Sequence, residues 1–170
     1  MTPKLLPSAT DVLSRTREAF QDLIVPSLVG QSERSASATI DHMLRYVERL
    51  IDQQGQTLLD EEIRLKVILS AAATWLAQLD DRAPLAADIQ ATIAREKDPE
   101  VFTTLAMMQD AVATLRQHVC DVLLALQALG DSKGSDGERL HEQLRDYIRW
   151  QLLEEEKLVE PAFVGHGPRR

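Results

Sequence analysis

A chain of 170 residues, 44% hydrophobic and 27% charged, carries enough apolar surface to bury a core and enough charge to keep its exterior wet. Aromatics make up only 4%, and the wealth of leucine and alanine favours helices over strands, which enrich β-branched and aromatic residues. A net charge of −8, with no Lys/Arg cluster beyond Arg169-Arg170, argues against nucleic acid and against anionic membrane surfaces as partners.

Cys120 is the only cysteine, so no intrachain disulfide forms, and within a helical run it reads as a small core residue. The segment Met1 to Thr10 has no apolar stretch of signal-peptide type. The longest run without a charge, Val67 to Leu79, falls short of the roughly 20 residues that span a bilayer. A cytoplasmic protein is the expectation. Its plan is a flexible N-terminus over 1–9, one helical bundle domain over 10–160 and a disordered tail over 161–170.

The first helix starts near Thr10 or Asp11, with Ser8 or Thr10 as cap, and breaks at Pro26. The second runs from about Ser32 to Gln54. In it Ala36, Ile40, Met43, Leu44, Val47, Leu50 and Ile51 recur at spacings of three and four, the pattern of a core-facing stripe. Gly55 is placed to end it. Asp60 reads as the cap of a third helix, with Glu61 and Glu62 favourable in its first turn. That helix carries Val67, Leu69, Trp75 and Leu76, and its alanines permit close approach by neighbours.

Pro84 opens a short fourth helix through Leu85, Ile89 and Ile93. Asp98-Pro99 has the form of a cap followed by proline at the first helical position. From there Val101, Leu105, Met108, Val112, Leu115, Val119, Val122, Leu126 and Leu129 alternate steps of four and three, a heptad pattern for one long helix. Its flanks Thr104, Ala111, His118 and Ala125 are open to neighbours on both sides, from this chain or from a second copy. Gly130 to Gly137 reads as a mobile loop, and the last helix spans about Glu138 to Val159, closed by Pro161. The fold class is all-α: an up-and-down bundle of five to six helices with one long heptad-patterned member.

Few motifs carry chemistry. Glu138 and His141 form one Glu-x-x-His, but a bundle metal site uses two such motifs on facing helices and no second is present, so no metal and no cofactor is expected. There is no Gly-x-Ser-x-Gly elbow, P-loop or dinucleotide fingerprint. No carboxylate falls inward on any of these stripes. His42 reads as solvated and His118 as a residue at the shoulder of the heptad face. Trp75, His118 and Tyr147 are the candidates for a ligand pocket between helices. Tyr147 and Trp150, at the edge of the last helix, are the candidates for an interface.

One stretch carries a resemblance. Leu13, Arg17 and Phe20, then Val25-Pro26, Leu28 with Gly30, Arg34 and Tyr46-Val47-Glu48-Arg49 resemble a bacterial helical domain of unknown function. Leu144-Arg145 is a faint echo late in the chain. That domain accompanies aminoglycoside-phosphotransferase-like kinases and acyl-CoA dehydrogenases. The resemblance covers about a quarter of the sequence and implies an accessory role beside such enzymes; it supplies no catalytic residue. Two functions follow as expectations. The first is a non-enzymatic association domain, as a homodimer or beside a partner enzyme. The alternative is a small-molecule binder or enzyme with a pocket between helices.

Overall fold

The computed structural model describes residues 6–79, 81–95 and 101–163, and the side chains within that set except at 131, 133 and 160–163. The described chain is all-α, with five α-helices and no strand: α1 Ala9–Ala19, α2 Gln31–Leu76, α3 Ala83–Ala94, α4 Leu105–Leu129 and α5 Gly134–Phe163. By its internal contacts it divides into two compact units. The first comprises 1–54 with 153–170 and the second comprises 55–152.

In the first unit, Ser8 caps α1 through a reciprocal pair. Its hydroxyl accepts from the Asp11 N–H at 3.1 Å, and the Asp11 carboxylate accepts from the Ser8 N–H at 2.9 Å. After Ala19 the helix widens into a π turn over Phe20–Ile24 and tightens into a 3₁₀ turn over Val25–Ser27, where Pro26 has no N–H to continue the ladder. Glu33 then reaches back to the Gly30 N–H at 3.1 Å as α2 begins.

The expected stop at Gly55 does not occur; α2 runs through it for 46 residues. A helical glycine costs about 1 kcal/mol relative to alanine. Burying Leu58, Leu65 and Leu69 on the same helix outweighs that cost several-fold. Asp60 is accordingly no cap: mid-helix, it accepts from Gln56 Nε2 at 2.7 Å.

All the buried apolar residues among those described belong to the second unit. Leu65, Leu69 and Leu76 of α2, Ile89 of α3, Val112 and Val122 of α4, and Leu144 of α5 are its most enclosed side chains. Trp75 is core at 7% exposed, as are Leu115 at 2% and Val119 at 5%. The heptad face of α4 is thus core from Val112 to Leu126, while its start differs from expectation. Asp98 and Pro99 lie outside the described residues. Thr104 caps the helix by accepting from the Met107 N–H at 3.2 Å. Val101 precedes the helix at 48% exposed, and Leu105 is 42% exposed.

The segment expected as a mobile loop is a 3₁₀ turn, Gly130–Lys133, joined directly to α5. Gly130 at φ 51° and Gly134 at φ 66° take the left-handed backbone that reverses the chain within four residues. The remainder, through Gly137, enters the helix. At its other end α5 continues through Pro161 to Phe163. The tail from 164 onward lies outside the described residues.

Candidate functional site

The second unit holds a buried polar centre that the sequence did not reveal. Glu61, 2% exposed, accepts two hydrogen bonds from Arg116: Nε to Oε1 at 2.7 Å and Nη2 to Oε2 at 2.8 Å. Tyr147 donates its hydroxyl to Oε1 at 2.6 Å. With three hydrogen bonds from two partners, the carboxylate joins α2, α4 and α5 as a structural clamp. Burial, reinforced by the bond to Glu61, raises the Tyr147 phenol well above its usual range. Arg116's own hydrogen bonds to Glu61, more than any other influence, raise its guanidinium.

The sequence-derived pocket candidates take separate places in the core. Trp75 packs among apolar side chains. Tyr147, 2% exposed, serves Glu61. His118, 6% exposed, shares a 3.0 Å hydrogen bond between Nε2 and the Thr92 hydroxyl. Of the interface candidates, Tyr147 is therefore inside. Trp150 is half-buried, 6.3 Å from the Tyr147 ring, with the Arg64 guanidinium over its face at 4.7 Å.

A cavity of about 410 Å³ lies in this unit, within the size range of small-molecule sites. Glu62 and Lys66 of α2 form one wall and Thr92 and Arg95 at the end of α3 another. Val101, Thr103 and the α4 residues Met107, Asp110, Ala111, Thr114 and Leu115 complete it. Trp75, His118 and Tyr147 are not on its walls, although Thr92, the partner of His118, is. Glu62 is 5% exposed and pairs with Lys66 at 2.9 Å. Together with Glu61 and Asp41 it corrects the expectation that no carboxylate turns inward.

The first unit is built the opposite way. Its buried side chains among the described residues are polar: Ser37, Asp41 and His42, the last of which was expected in solvent. Arg17 of α1 lies 3.8 Å from Asp41 and 3.4 Å from Glu48, and Arg45 pairs with Asp41 at 2.6 Å. Two residues of the resemblance pattern, Arg17 and Glu48, thus meet. The stripe expected to face a core faces out instead. Ile40 is 44% exposed, Met43 60%, Val47 40% and Ile51 46%, and Ala36 is exposed beside them.

Cys120, expected in the core, is exposed. Glu138 and His141 border a shallow groove with Glu142, Arg145 and Arg149. No group of three or more His, Cys, Asp or Glu among the described residues converges as a metal site. No helix of the described residues is long and apolar enough to cross a membrane. No family model, curated protein or solved structure matches the chain.

Proposed function

We propose that this chain is a non-enzymatic, cytoplasmic association module that pairs with a second copy of itself through the outer face of α2 over Ala36 to Ile51. The observation that carries the reading is the inverted first unit. Among its described residues, eleven large apolar side chains stand at least 40% exposed, four of them on that face, and none is buried. Apolar burial is the term that this unit lacks.

The choice of a second copy rests on spacing. Ala36, Ile40, Met43, Val47 and Leu50 follow steps of four, three, four and three, the heptad repeat by which like helices interlock. A stable pair removes about 800 Å² from each partner. The α2 face starts that area, and the unit's seven other exposed apolar side chains are available to extend it. The corresponding face of α4 is already filled by its own chain.

Light scattering at tens of micromolar tests this. The expected mass is about 38 kDa, twice the 19.0 kDa chain. A mass of one chain contradicts pairing and leaves the face to the accessory-enzyme role implied by the resemblance.

A further inference from the structure

The cavity of the second unit carries a separate inference, independent of the α2 face. Its floor is apolar, from Val101, Met107 and Leu115, and its charges are of both signs. Glu62 and Lys66 are paired at 2.9 Å. That leaves Arg95 on one wall and Asp110 on another, neither held by an ion pair among the described residues.

A monoanion in this space would face Asp110, and a monocation would face Arg95. An apolar body bearing one carboxylate and one ammonium satisfies both walls. At about 30 Å³ per water, 410 Å³ holds roughly a dozen heavy atoms. We propose that this cavity binds a free hydrophobic α-amino acid, its carboxylate on Arg95, its ammonium on Asp110 and its side chain against Met107 and Leu115. The Thr92 hydroxyl, on the wall and bonded to His118, ties an occupant to that buried ring.

Calorimetric titration with L-phenylalanine, L-leucine, 3-phenylpropionate and 2-phenylethylamine tests the assignment, with the His118 ring resonances followed by NMR. The two amino acids should bind and shift His118. The acid and the amine, each missing one charge, should bind about tenfold more weakly or less. Arg95→Ala and Asp110→Ala should each weaken L-phenylalanine by about the same factor. Both residues are exposed, so both variants should melt as the wild type does. The proposal is overturned if neither amino acid binds, if 3-phenylpropionate or 2-phenylethylamine binds as well as L-phenylalanine, or if neither substitution affects binding.

Discussion

Replacing Tyr147 with phenylalanine isolates one bond of the buried Glu61 centre. The ring is conserved, so no cavity opens, and what disappears is a 2.6 Å hydrogen bond to a carboxylate. Bonds to charged groups contribute about 1.5–3 kcal/mol. Glu61 keeps its two-pronged contact with Arg116, so the carboxylate is not stranded and the lower part of that range applies. In a chain of this length 1 kcal/mol moves Tm by roughly 2–4 °C, giving an expected fall of about 3–8 °C at neutral pH.

The pH dependence has a definite sign. The folded phenol is raised above the ordinary value of 10.0, first by burial and then by the Glu61 bond. The folded state therefore holds this proton more tightly than the unfolded chain. The stabilisation is complete below about pH 10 and is lost as pH rises towards the folded value. Melting followed by circular dichroism should show the gap between wild type and Tyr147→Phe narrowing above about pH 10. Equal melting at neutral pH, or a gap that stays constant to about pH 11, would refute the reasoning.

Gly55→Ala should raise stability by about 0.8–1 kcal/mol, since a Cβ there meets nothing within 4 Å and the helix already passes through; a lower Tm would mean that α2 breaks at this point. Cys120 should take up one equivalent of a thiol reagent in the folded protein; reaction only after denaturation would place it inside.

The second unit's core was largely legible in the sequence. Val112, Leu115, Val119, Val122 and Leu126 follow steps of three and four and all are buried, because one helical face met one core. The first unit was not legible, although its pattern was just as regular. Periodicity locates the apolar side of a helix but does not say whether the same chain covers it. Ile40, Met43 and Val47 lie on an uncovered side. Glu61 was missed because Asp60-Glu61-Glu62 imitates the start of a helix, while its partners Arg116 and Tyr147 lie 55 and 86 residues away. The same distance hid the cavity. Its walls come from α2, the end of α3, the approach to α4 and the first turns of α4 itself, and no short motif unites them.

The association reading stands or falls on the α2 face, and sedimentation equilibrium of Val47→Glu beside wild type probes it directly. Val47 is 40% exposed, so a glutamate there leaves the single chain folded, with melting of the dilute protein as the control. Brought between two apposed helices, the same glutamate buries a charge against its own copy, which the interface cannot compensate. The account predicts a dimeric wild type and a monomeric variant of unchanged helicity. A variant that remains dimeric with wild-type affinity would contradict it.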